Sequence, residues 1–207
     1  IPVIKDINET TASISVEYQI TSQNSDGDTE LYDVKEFYRM RYLDTRIYLL
    51  DFQRSANQVF DGKLPVYSDD GIILGVRDKN VEYMMNDSAT VLAFVQEGDL
   101  WSYSPGNGKV NQVFSFRKTE DGDFRDSRIQ HDIKIVRVTD AGDIDFVLYG
   151  YMNRGSHEGY EGIGVYHYNP DKNVAEERAF IPVSESFEFL KKDLEKLSYV
   201  NEENELF

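Results

Sequence analysis

Three stretches of this chain read alike, and their likeness constrains the fold more than any other feature. Ile47-Tyr48-Leu49-Leu50 leads into Asn57-Gln58-Val59-Phe60, Leu100-Trp101-Ser102-Tyr103 into Asn111-Gln112-Val113-Phe114, and Val165-Tyr166-His167-Tyr168 into residues 174–180. Each is an apolar, aromatic strand, a polar turn and a second strand. A β unit rewritten at such spacings predicts a stacked or radial repeat.

The pattern between these stretches is strand-like almost throughout. Residues 14–20 alternate apolar and polar with period two, as a strand with one buried face does. With 31–42, 47–52 and 59–60 they predict a first four-strand meander. Strands expected over 81–85, 90–95, 100–103 and 110–116 are separated by Asn86-Asp87-Ser88, Gly98-Asp99 and Ser104-Pro105-Gly106-Asn107-Gly108, all turn chemistry. Residues 91–95, Val-Leu-Ala-Phe-Val, are apolar on both faces and predict a strand covered on both sides. A third unit repeats the order over 133–138, 144–152, 163–168 and 174–180. Near the end, Phe187, Leu190, Leu194 and Leu197 fall at helical spacing behind Ser184 or Ser186 as N-cap, which predicts one short amphipathic helix. Residues 198–207 read as strand, turn, strand again and predict the start of a fourth unit, paired at a sheet edge.

Four short antiparallel strands repeated in this way resemble a blade of a β-propeller. The Trp-Asp and Gly-His dipeptides of the best-known propeller repeat are missing, so the resemblance is to the architecture and not to one family. The expectation is therefore an all-β, propeller-like repeat domain with a C-terminal helix. Its units would cover about 12–60, 81–116, 133–180 and part of a fourth at 197–207, in one domain cut from a longer protein.

Charge and composition narrow the function classes. The 207 residues carry 22 basic and 38 acidic side chains, net −16, with the acids scattered along the chain. A polyanion is repelled at long range, which argues against nucleic acid and bare anionic membrane as partners. The absence of cysteine removes disulfides, thiolate metal sites and cysteine nucleophiles together. The chain starts at Ile1, has no apolar run of spanning length and is rich in Tyr, Asn and Asp. These features suggest an anchored ectodomain outside the cytoplasmic membrane of a bacterium, with any anchor outside this segment.

The third unit carries an insertion relative to the second. Where Gln96-Glu97-Gly98-Asp99 makes a tight turn, the third unit has Arg154-Gly155-Ser156-His157-Glu158-Gly159-Tyr160-Glu161-Gly162. Long loops on rigid β scaffolds are where recognition groups sit, and Arg154, His157, Glu158, Tyr160 and Glu161 form the candidate binding set. The function expected is non-catalytic binding or scaffolding, with a protein or an envelope glycan as partner and no cofactor. The alternative is a carbohydrate-active hydrolase in which Glu158 or Glu161 works with Asp143 or Asp145. Asp26 and Asp28, and Asp121 and Asp123, lie in acidic turns that could wrap Ca²⁺, but neither matches an EF-hand. His131, His157 and His167 share no metal-ligand spacing, and no Gly-x-Ser-x-Gly elbow supports a serine nucleophile.

Overall fold

A computed structural model describes residues 2–64, 66–68, 71–74, 81–117 and 122–207. The chain is mostly β: three four-stranded antiparallel sheets, a two-stranded ribbon and one C-terminal helix, with no closed barrel or propeller detected among the described residues. Two compact units are present, residues 1–66 with 73–77, and residues 67–72 with 78–207.

The first unit is a meander of β1 (Pro2–Ile7), β2 (Thr11–Gln23), β3 (Thr29–Leu43) and β4 (Arg46–Gln58), neighbours in chain order. This differs from the expected strand set. The opening strand is 2–7, and the two segments expected as separate strands, 47–52 and 57–60, are joined, because β4 runs unbroken to Gln58. Val59 and Phe60 instead turn in and are buried, with the Val59 amide donating to the Leu31 carbonyl. The match between this stretch and those at 100–114 and 165–180 is thus not one of strand position.

Cross-strand register sorts this sheet into two unlike faces. Ile4 lies beside Ile14, Tyr38 and Phe52, and Ile7 beside Ala12, Met40 and Leu49; Tyr42 and Ile47 extend the same face. The opposite face carries Ser13, Ser15, Glu17 and Gln19 of β2 against Arg39, Phe37, Lys35 and Asp33 of β3. On the apolar side Glu36 is buried and accepts from Tyr38 Oη (2.6 Å), Tyr18 Oη (2.8 Å) and Arg54 Nε (2.6 Å). The Tyr38 and Tyr18 hydroxyls, and then Arg54, hold its carboxyl below the usual carboxylate range.

The second unit opens with the ribbon β5 (Tyr67–Ser68) and β6 (Gly71–Ile72), and Tyr67 Oη donates to the Gly108 carbonyl (2.7 Å). Two meanders follow: β7 (Tyr83–Met85), β8 (Leu92–Gln96), β9 (Asp99–Ser104) and β10 (Lys109–Phe114), then β11 (His131–Val138), β12 (Ile144–Tyr151), β13 (Glu161–Asn169) and β14 (Val174–Pro182). These match the expected strands closely. Trp101 and Tyr166 fall in β9 and β13, the third strand of each sheet. Trp101 is buried, as are Val91, Ala93, Phe94 and Val95, in keeping with a strand apolar on both faces.

One core joins the two sheets. Val91, Ala93, Val95, Leu100 and Val113 pack against Ile133, Ile135, Ile144, Phe146 and Leu148, and the Phe114 ring lies 5.8 Å from Phe146 and 5.4 Å from Tyr166. The other face of β11–β14 is covered by α1 (Phe187–Lys196), whose Leu190 is buried against Val136, Val147 and Tyr149. Ser186 occupies the N-cap position, but its side chain makes no capping bond. Residues 198–207 fold back as a small hairpin: the Tyr199 and Phe207 amides exchange bonds with each other's carbonyls, and Val200 and Leu206 bridge and pack into the same apolar cluster. The expected strands therefore pair with one another, because packing over β11–β14 satisfies them without an outside edge. Lys134 Nζ ties the sheet to the last turn of α1 through Leu194 O (3.1 Å) and to the start of this hairpin through Ser198 O (3.2 Å) and Ser198 Oγ (2.9 Å).

A candidate recognition loop held by an ion-pair lattice

The contrast between the two corresponding hairpins is large. Glu97 and Gly98, with φ of 48° and 79°, close β8 and β9 in two residues, the geometry that suits the strand twist. Between β12 and β13 the chain runs out through 152–160. The Met152 amide donates to Tyr160 O (2.8 Å) and the Gly159 amide to Met152 O (3.0 Å), so the loop is closed at its base. Gly155 and Gly159 sit at φ of 93° and 94°, where a Cβ is disfavoured, and allow the turns inside it.

Most of the candidate binding side chains turn out to hold the loop in place. Arg154 points inward: Nη2 meets Asp126 Oδ1 (2.6 Å) and Asp123 Oδ1 (3.0 Å), and Nε donates to the Phe116 carbonyl (2.7 Å). Asp123 caps the 3-10 turn Phe124–Ser127 and takes a forked ion pair from Arg125. Arg125 Nη1 then reaches Glu158 Oε1 (2.6 Å), tying the loop tip to that turn. Arg125 first, and Arg154 after it, hold the Asp123 carboxyl far below the usual range. His157 stacks flat on Phe180, centroids 3.7 Å apart and 8° from parallel, and Nε2 lies 2.9 Å from Glu177 Oε1, whose other oxygen accepts from Tyr166 Oη (2.9 Å). Tyr160 is the exception, with 62% of its surface exposed.

Glu161 begins β13 at the root of the loop. Its Oε2 is buried with no hydrogen-bond partner among the described residues, and burial pushes the carboxyl above its ordinary value, with the nearby Arg128 charge pulling the other way. Arg128 itself lies over the Tyr151 ring at 4.7 Å and donates to Gln130 Oε1.

Several residues of this lattice escaped sequence reasoning. Arg117 donates to Asp99 Oδ2 (3.2 Å), Asp126 O (2.8 Å) and Glu97 O (3.0 Å); Ser115 Oγ donates to Asp99 Oδ1 (2.7 Å); and Asn153 Nδ2 donates to Arg125 O (2.5 Å). His131 Nε2 lies 3.0 Å from Gly98 O. Around them is a cavity of about 10 Å³, room for a single water and no substrate. A larger cavity, about 190 Å³, lies in the first unit beside Glu30, Asp61, Phe60 and Leu64. It is smaller than the ~300 Å³ at which drug-sized ligand sites begin.

The carboxylates proposed for hydrolysis do not converge. Glu161 is paired with Tyr151 at one end of the β12/β13 ladder, and Asp145 with His167 at the other. Six residues of strand separate them, about 20 Å, against the ~5–10 Å of glycosidase pairs. Asp145 accepts from Arg137 Nε (2.8 Å) and lies 2.7 Å from His167 Nδ1, while Asp143 is bound to Thr139 and stands 3.8 Å from His167 Nε2. Asp140, from the same acidic run, accepts from Asn86 Nδ2 (2.7 Å) and Ser88 Oγ (2.7 Å) and pins the β7/β8 turn to the β11/β12 turn.

The calcium candidates find other roles. Asp26 and Asp28 sit in the β2/β3 turn, where their amides donate to Asn24 Oδ1, an Asx-turn arrangement. Asp123 already faces two guanidinium groups, which disfavours a cation there, and Asp121 lies outside the described residues. Among the described residues no cluster of three or more His, Asp or Glu side chains is arranged to hold a metal. No described helix is long and apolar enough to cross a membrane.

Comparison with protein-family models, with curated proteins and with solved structures finds no match to this chain.

Proposed function

We propose that this chain is a non-catalytic binding module built on propeller-type blades. It would act outside the cytoplasmic membrane of a bacterium and hold out the 152–160 loop to an envelope glycan or another protein. The observation that carries this reading is the state of the loop's own side chains. Arg154, His157 and Glu158 are engaged in ion pairs and stacking that hold the loop, Glu158 still about half exposed, while Tyr160 presents an exposed ring beside them. Such a loop is preorganised, so little ordering cost opposes binding, and an exposed tyrosine adds a rigid amphipathic contact. The blade reading rests on the two consecutive meanders β7–β10 and β11–β14, which pack face to face through one core. The cellular location rests on the acidic, cysteine-free composition.

The test is a glycan array together with isolated peptidoglycan and surface polysaccharide, probed with the parent chain and with Tyr160→Ala. The expected result is binding by the parent that falls about tenfold in the variant, the weight of one aromatic anchor. Turnover of any of these glycans, or binding that ignores Tyr160, overturns the proposal.

A further inference from the structure

The first sheet carries an apolar face that the loop and its lattice do not use. Ile4, Ile7, Tyr42, Ile47, Leu49 and Phe52 share that face by register and are between 42% and 66% exposed. They come from β1, β3 and β4, so the patch crosses the sheet and is not a ridge on one strand. Four strands at ~4.8 Å and about seven residues at ~3.3 Å give a footprint on the order of 450 Å², before side-chain relief is counted. A patch of this size is at the upper end of what a monomer exposes and marks an interaction site.

We infer that this face is the contact between two copies of the chain, sheet packed on sheet. Three observations choose this occupant. First, two such faces together bury roughly 900 Å² before side-chain relief is counted, close to the ~1,000 Å² that a specific interface has to clear. Secondly, the patch itself carries no charged side chain by register: of the carboxylates on this face, Glu36 is matched by Arg54 and by two tyrosine hydroxyls, and Glu30 lies at the far end of β3, where it accepts from Tyr32 Oη. A chain of net −16 can therefore meet its own copy there without setting like charges against each other. Thirdly, the sheet edges are guarded and the face is not. β1 and β4 both contain register shifts, β1 starts at Pro2, and β4 carries Arg46, Asp51 and Arg54, all of which oppose edge-to-edge strand addition. Face packing is the mode left, and β7–β10 against β11–β14 shows how meanders of this chain pack in that mode.

The experiment is sedimentation equilibrium of the whole 207-residue chain over a wide concentration range. The expected species has twice the 23.9 kDa of the chain, in equilibrium with monomer. Leu49→Lys should shift the protein to monomer, whereas Ser55→Lys, a substitution on the opposite face, should leave the dimer unchanged. Phe52→Thr serves as a second variant that removes the aromatic ring but places a β-branched, strand-favouring residue there, and circular dichroism confirms that each variant is folded. Four outcomes overturn the inference: a monomer at every concentration, as cover by the rest of the chain would give; a ladder of higher oligomers, as edge pairing would give; a dimer that survives both Leu49→Lys and Phe52→Thr; or equal loss in Ser55→Lys. The glycan result does not bear on this test, since the loop and the sheet face share no residue.

Discussion

Arg154 collects three acceptors from two segments, and only 13% of its side chain is exposed. Replacing it with methionine keeps much of the volume but removes the fork that joins Asp123, Asp126 and the Phe116 carbonyl. We expect a loss of about 2–3 kcal/mol in urea unfolding, the scale of a hydrogen bond to a charged group within a largely buried site. Arg154→Lys should recover only part of it, since an ammonium lacks the planar fork. Glu161 behaves in the opposite sense. Because its carboxyl is raised in the folded protein, its contribution is most favourable below the ordinary carboxylate range and is lost as pH rises through the raised value. Glu161→Gln should therefore raise Tm near neutral pH, and the difference should vanish in acid. Asp123, whose carboxyl is held low, gives the mirror profile: Asp123→Asn should lower Tm at neutral pH, and the loss should shrink only as acid protonates the parent's carboxylate. Thermal melts across pH with both variants check the two signs.

At the scale of elements, the 152–160 loop and the Glu97-Gly98 turn close topologically equivalent hairpins, yet they are not interchangeable. On sequence grounds, a short turn grafted in place of the loop would affect binding and spare stability. The structure changes that expectation, because Arg154, His157 and Glu158 anchor the loop to the 3-10 turn, to β14 and to the chain beyond β10. Grafting residues 96–99 in place of 154–162 should thus keep the β-rich circular dichroism spectrum while lowering Tm clearly, by more than Tyr160→Ala does. An unchanged Tm would mean that the lattice contributes nothing in solution, as exposed ion pairs often do. The C-terminal elements follow similar logic. Helix α1 forms because its apolar stripe meets Val136, Val147 and Tyr149, not because of its cap, since Ser186 makes no capping bond.

For the whole molecule, the charge of −16 opposes any self-association at long range, whatever face is used. Added salt screens that repulsion within a Debye length of roughly 10 Å at 0.1 M and leaves apolar contact intact. The dimer proposed above should therefore tighten as sodium chloride is raised, which sedimentation at two ionic strengths measures. Weakening with salt would point to an ion-paired interface instead. The two compact units also divide their apolar residues differently. In the larger, both faces of β12 are buried; in the smaller, β4 has exposed residues on both faces along most of its length.

What the sequence determined by itself was local. Period-two alternation and turn residues marked the strands of the second and third meanders to within a few residues, and helical spacing marked α1, because pleat, turn dihedrals and helix period are properties of short stretches. The double-sided burial of residues 91–95 was legible for the same reason. The first meander was read less well, since a 15-residue strand partnered by two of 13 shows weak alternation wherever register slips, as it does beside Asp51. Tertiary structure alone decided which charges meet. Arg154 and Asp126 are 28 residues apart, Asn86 and Asp140 are 54 apart, and Glu161 and Asp145 share one hairpin yet sit at its opposite ends. Ion pairing and burial depend on the three-dimensional approach of distant segments, and no spacing along the chain encodes that approach.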